Sequence, residues 1–237
     1  MKSEEILNLI NAFIKYTSEK IFEKSKNINI QTVDDIYKEV CKDDISYAEN
    51  NLKNNEQIYG LFYIKKDNEK ILYINNRQDE VNLSATILHE FVHLCDYEKL
   101  SKIKKEKNYR KLQEESIFIY WSEFHANYLV YKYLYYLGKN NIEPIIIANK
   151  IKSKMIEYYT SSNILDISNV VDFTVRKYGD YIALYESYSD KLDKYIKGGY
   201  LNEKFLKLYE FLYDHNTFES MICCYKDLID IFESLEN

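Results

Sequence analysis

Apolar residues recur at helical spacing along most of this chain, and at strand spacing only in its first third. Near the start, Ile6, Ile10, Phe13, Thr17 and Ile21 fall on one stripe of an opening helix. NINIQTV, residues 27–33, reads as a short strand, and VDDIYKEV, residues 33–40, as a helix capped by Thr32. IYGLFYIK (58–65) and ILYIN (71–75), divided by the polar KDNEK, predict a β-hairpin. From Leu83 onward the pattern is helical: 83–100, 112–137 ending at Gly138, 142–160 starting near Pro144, 165–188, and 202–235 with a break around His215 and Asn216. Gly198-Gly199 reads as a tight turn. The expected fold class is α+β, a small N-terminal sheet followed by helices. It is organised as a core over 1–138 with a helical extension over 139–237 packed on it, or as one domain overall.

Composition narrows this picture without redirecting it. A chain of 237 residues can bury a substantial core, so neither disulfides nor oligomerisation is forced, and the oligomeric state stays open. With 46% hydrophobic and 30% charged residues, one proline and five glycines, the chain is expected to be folded, soluble and helix-rich. Its 25 tyrosines accompany abundant Ile, Lys and Asn, the drift of AT-rich codons, and carry little functional weight. The net charge is −6, and the basic run LSKIKKEKNYRK (100–111) lacks an aromatic stacking pattern, so it reads as a solvated face and no nucleic-acid partner is expected. Cys41, Cys95, Cys223 and Cys224 have no CxxC spacing, which suits reduced thiols in the cytoplasm. Charges interrupt the first twenty residues too often for a signal-peptide core, and no 18 apolar residues run together, so no membrane span is expected.

One apolar segment breaks its own pattern. ATILHEFVHLCD, residues 85–96, carries two histidines and a glutamate among Leu83, Ile87, Leu88, Phe91, Val92 and Leu94. Burying such groups without partners costs about 2–7 kcal/mol for a neutral polar group and more for a charge. On a helix His89 and His93 stand about 40° apart around the axis and one turn apart along it, so both imidazoles reach one ion. Glu90, turned about 100° from His89, flanks that ion, where it can hydrogen-bond a water on the metal. This is HExxH, two imidazoles for Zn²⁺ and a carboxylate to accept a proton.

A catalytic zinc usually takes three protein ligands and keeps a fourth position for water. A histidine six residues after His93 would mark the metzincin pattern, but Lys99 stands there. Polar groups next interrupt an apolar run in IFIYWSEFHANYLVY, residues 117–131. There Glu123, Ala126 and Asn127 share one helical face, and Ala126 is small enough to let two helices approach. His125 points about 200° from Glu123, so the two cannot serve one ion without unwinding the helix. Glu123, His125 or a residue elsewhere remain as the third ligand.

HExxH followed on a later helix by EFHAN resembles the gluzincin-type zinc metallopeptidases, which place a glutamate ligand in an ExxA(D/N) setting. More narrowly, hairpin, ILYINN, ATILHEFVH and, about thirty residues on, EFHAN are similar to the ImmA/IrrE family of small cytoplasmic metallopeptidases. The resemblance covers about residues 30–135, and nothing after Gly138 carries it. It implies a zincin-like fold, one Zn²⁺ per chain on His89, His93 and Glu123, and Glu90 as the catalytic base. Asn127 stands where gluzincins often keep an acidic partner for a ligand histidine, and its amide can still orient an imidazole N–H.

The function expected is a cytoplasmic zinc metalloendopeptidase acting on a protein or peptide substrate, with Asp96 as a further partner of the ligands or as a member of a helix-surface pair. His215 and Arg77 are the candidates for the donor that such sites aim at the oxyanion, each with an ordinary surface or capping role as its competitor. A substrate strand is expected to add to the hairpin edge, at ILYIN. The competing readings are a zincin-fold binding module in which zinc is structural, and a helical interaction protein whose motif is accidental.

Overall fold

The computed structural model describes residues 3–17, 28–53, 58–138, 141–161, 166–197 and 199–236. The elements run α1 (Ser3–Thr17), β1 (Asn29–Val33), α2 (Ile36–Asp43), α3 (Ile45–Asn51), β2 (Gly60–Ile64), β3 (Lys70–Asn75), α4 (Glu80–Lys104), α5 (Tyr109–Leu112), α6 (Ser116–Leu137), α7 (Pro144–Ser161), α8 (Ile167–Ser187), α9 (Glu203–Asp214), α10 (Phe218–Cys223) and α11 (Tyr225–Glu236). This is the expected α+β class, a three-stranded sheet followed by helices. The chain divides into two compact units, residues 1–114 and 115–237.

In the first unit the strand order is β1-β3-β2, with β1 parallel to β3 and β2 antiparallel to it. The expectation that ILYIN offers an open edge is therefore wrong. Asn29 to Val33 pair with Ile71 to Asn75 on one side of β3, and Gly60 to Ile64 pair on the other. The hairpin edge belongs to β2 instead. Two of its outward main-chain groups are already engaged, Phe62 N–H by Glu90 and Ile64 C=O by Arg110. Period-two alternation sends Tyr73 and Ile71 to the face covered by α2 and α3, where Ile36, Val40, Ala48, Leu52 and Tyr63 complete a core. Leu72 and Ile74, buried on the opposite face, lie where α4 packs, and there the Phe62 ring meets Tyr97 of α4 at 5.7 Å.

Helix boundaries follow their caps. Asp35 accepts from Lys38 N–H and starts α2, so Thr32 is not the cap but a residue of β1. Asp44 likewise starts α3, a helix the pattern did not announce. Asp79 accepts from Val81 and Asn82 N–H and sets the start of α4 at Glu80, a turn earlier than Leu83. On α1, Ile6, Ile10 and Phe13 are buried as the stripe requires, while Ile21 lies outside the described residues.

The basic run after α4 is not wholly a solvated face. Arg110 donates from Nε to Ile64 O at 2.8 Å, from Nη1 to Asp44 Oδ2 at 2.7 Å and from Nη2 to Tyr63 Oη at 3.0 Å. Tyr63 in turn donates to Asp43 Oδ2 at 2.7 Å. One guanidinium thus ties α5, the β2 edge and the α2–α3 corner, a use of its planar fork that lysine could not copy.

In the second unit α6 packs along α8 more extensively than any other two helices do among the described residues. Gly179 of α8 permits this. A Cβ there would stand 2.6 Å from Phe124 O and 2.9 Å from Tyr128 N. Phe118 and Trp121 of α6 meet Phe218 of α10, and Tyr120 stacks on Phe232 of α11 at 5.3 Å. The expected break at His215 and Asn216 separates α9 from α10, and a second break at Cys224 separates α10 from α11. The segment expected as one helix over 112–137 begins at Ser116 and ends at Gly138, with α5 set apart before it. Gly199 N–H donates to Ile196 O, a tight turn, while Gly198 lies outside the described residues. Among the described residues no helix is long and apolar enough to cross a membrane.

The Arg110 contacts predict that Arg110→Met lowers the unfolding free energy of the chain by about 2–4 kcal/mol, because charged hydrogen-bond partners lose their donor. Lys38→Met, which removes an exposed ion pair with Asp35, stays within about 0.5 kcal/mol of the wild type. Urea unfolding of both variants provides the comparison.

Candidate metal centre

α4 carries Ile87, Leu88, Phe91 and Val92 fully buried, and between them Glu90 and His93 are each 8% exposed and Asp96 0%. Such burial requires partners for the polar atoms. His89 Nε2 and His93 Nε2 face each other at 3.0 Å, with ring centroids 4.6 Å apart and planes at 84°. The i to i+4 spacing on an unbroken helix places the rings this way, one above the other on the same side.

His89, His93 and Glu123 each offer one ligand atom, and these atoms all lie within 4.8 Å of one another. Two nitrogens bound to one tetrahedral zinc at 2.0–2.1 Å stand about 3.3 Å apart. The 3.0 Å between the two Nε2 atoms is close to that span, so the pair fits a shared ion. Two imidazole nitrogens with one carboxylate oxygen form a donor set that zinc accepts with a position to spare, and other borderline first-row ions accept it as well. The group is thus a possible site for a metal ion, whose identity the donors alone leave open.

Glu90 is held from the sheet side. Phe62 N–H donates to its Oε2 at 2.7 Å. The approach is close because residue 60 is glycine: a Cβ there would stand 2.5 Å from Thr86 Cγ2, 2.8 Å from Glu90 Cγ and 2.9 Å from Glu90 Oε1. β2 thus fixes the carboxylate of the residue next to His89 through its main chain.

Within residues 115–237, Glu123 pairs with Arg176 of α8, Nη1 to Oε2 at 2.8 Å, and Arg176 Nε is itself bound to Asp172 Oδ2 at 2.9 Å. Arg176 is a residue that the sequence pattern does not single out; its local signal is an Asp-to-Arg pair four apart, with a helical glycine three residues on. Ala126 is fully buried, and the close approach of α8 to α6 also requires Gly179.

The remaining candidates are placed as follows. Asn127 donates from Nδ2 to the main-chain oxygen of Glu123 at 2.8 Å, so its amide nitrogen serves its own helix. His125 is fully buried and stacks on Trp121 with centroids 4.5 Å apart; it is not part of the three-residue group. Asp96 is completely buried, which removes a helix-surface pair as its role. His215 ends α9 with its ring 4.6 Å from Phe211, its carbonyl accepts from Trp121 Nε1 at 3.4 Å, and its buried Nδ1 has no hydrogen-bond partner among the described residues. That position is on the Trp121 side of α6, turned from Glu123. Arg77 is exposed in the turn before α4, its main-chain N–H donating to Asn75 Oδ1. Neither His215 nor Arg77 belongs to the three-residue group.

Compared with protein-family models, with curated proteins and with solved structures, the chain matches none.

Close approach at the two glycines predicts graded costs. Gly179→Ala, obstructed by main-chain atoms of α6, destabilises the chain by about 2–3 kcal/mol. Gly60→Ala, obstructed by side chains that can turn aside, costs about 1–2 kcal/mol and speeds hydrogen exchange of the Phe62 amide as Glu90 is displaced. Denaturant unfolding and amide-exchange spectra measure the two effects.

Proposed function

We propose that this chain is a zinc-dependent peptidase that hydrolyses a protein or peptide substrate, with His89, His93 and Glu123 as metal ligands and Glu90 as general base. The observation that carries the reading is the convergence of one atom from each of those three side chains within 4.8 Å, beside a buried carboxylate on the residue adjoining a ligand. HExxH with a glutamate on a later helix is the pattern in which this chain resembles the gluzincins and the ImmA/IrrE family, and that resemblance supports the same assignment. The cytoplasm is the place of action we assign, in keeping with Cys41, Cys95, Cys223 and Cys224, which form no disulfide among the described residues.

When bound, a zinc ion supplies Lewis acidity and makes water nucleophilic near neutral pH. The chain supplies the rest. Phe62 N–H occupies Glu90 Oε2, which leaves Oε1 as the atom that takes the proton from the attacking water and passes it to the leaving amine. The main-chain bond fixes Glu90 without introducing a competing charge. Burial of His93 and Glu90 keeps bulk water from both.

Two measurements test this. Metal analysis of the purified chain is expected to give about one zinc per chain, lost in His93→Ala and in Glu123→Ala. Cleavage mapping against a cell extract is expected to show cut sites that vanish in Glu90→Gln while that variant keeps its metal. Identical maps for wild type and Glu90→Gln with metal retained in both would transfer the site to a structural role.

A further inference from the structure

A carboxylate ligand has two oxygens, and a catalytic zinc site works with one of them if a coordination position is to stay open for solvent. Glu123 therefore needs something to occupy its second oxygen. Arg176 is placed to do so: its Nη1 lies 2.8 Å from Glu123 Oε2, where the Glu123 side chain is 14% exposed and that of Arg176 38%. The guanidinium does not hang from a free stem. Asp172, one turn earlier on α8, accepts from Nε at 2.9 Å and fixes the plane of the fork. Three residues later on α8 comes Gly179, where the two helix backbones approach within what would be Cβ contact. The distance between α6 and α8 is thus set at the point where Arg176 crosses.

We propose that Arg176 is a positioning residue for the metal centre, holding one oxygen of Glu123 so that this ligand offers a single oxygen to the ion. The inference rests on the reading of His89, His93 and Glu123 as ligands. Partners that orient ligands in this way change metal affinity by about 10–100-fold when removed.

The test uses the full chain stripped of metal and titrated with Zn²⁺ and with Co²⁺ against a competing chelator. Arg176→Met is expected to weaken both by about 10–100-fold and to weaken the visible bands of the cobalt form, as a second carboxylate oxygen raises the coordination number. Its metal-free form is expected to unfold within about 4 °C of the wild type. Arg176→Lys recovers part of the affinity, since an ammonium supplies the charge without the fork. Asp172→Asn gives a smaller loss in the same direction and carries the test if Arg176→Met does not fold. Wild-type affinity and an unchanged cobalt spectrum in Arg176→Met overturn this inference and leave the ligand assignment standing. An affinity loss with an unchanged spectrum and an equally large loss of metal-free stability also overturns it, because a general packing role would produce that. A wild-type chain that binds neither ion near one per chain, with His93→Ala no different, overturns the ligand assignment and this inference together.

Discussion

Polar burial along one helix constrains the first unit more than any other feature. α4 lies against the sheet with Ile87, Leu88, Phe91 and Val92 wholly out of water, yet the same helix brings Glu90, His93 and Asp96 inside with them. A helix that only had to cover a sheet would place those positions in leucine and valine. Desolvating them costs several kcal/mol unless each finds a partner. For Glu90 the partner is a main-chain N–H of β2, reachable only because residue 60 has no side chain. For the two histidines, each ring nitrogen faces the other at a spacing that an ion also satisfies. The sheet edge, the glycine in it and the residue order of α4 are therefore one solution to one problem.

How much of this could be read from residues alone depends on how local each feature is. HExxH was legible because a helix converts four residues of spacing into one shared face, and no tertiary knowledge is needed. Glu123 was legible for a related reason, as a charge interrupting an apolar run whose period is helical. The middle position of ILYIN differs from the edge expected of it, and the residues carry a signal for it: Ile71, Leu72, Tyr73 and Ile74 form an unbroken apolar run, and β3 buries all four. Solid apolar runs belong to strands flanked on both sides, whereas edges usually alternate. NINIQTV, polar and short, gave no hint that it would run parallel to β3, because that pairing depends on how the α2–α3 crossover returns the chain.

Arg176 shows the opposite limit. Within its own helix Arg176 shows only an i to i+4 pair with Asp172 and a glycine three residues on, a pattern that does not announce its contact with Glu123. That contact arises only when α8 lies on α6, and the approach is licensed by Gly179. An isolated glycine in a helical pattern lowers helix propensity by roughly 1 kcal/mol relative to alanine. Its presence mid-helix was thus a sign that something else required it, and the requirement turns out to be the main chain of α6 at Phe124 and Tyr128.

Glu123 and His125 share one helix and differ by two positions, and the structure uses that difference. The face bearing Trp121 and His125 is committed to the interior of the second unit: the two rings stack, Trp121 meets Phe218, and its indole N–H reaches the carbonyl of His215. Turning His125 toward an ion would pull Trp121 out of that packing, which costs about 3–5 kcal/mol when a buried aromatic of this size loses its contacts. Glu123, on the other side of the helix, brings a carboxylate with a guanidinium already in place. The packing of α6 therefore commits His125 to the interior of the second unit and leaves Glu123 as the side chain of this helix that joins His89 and His93 in a possible metal-binding group.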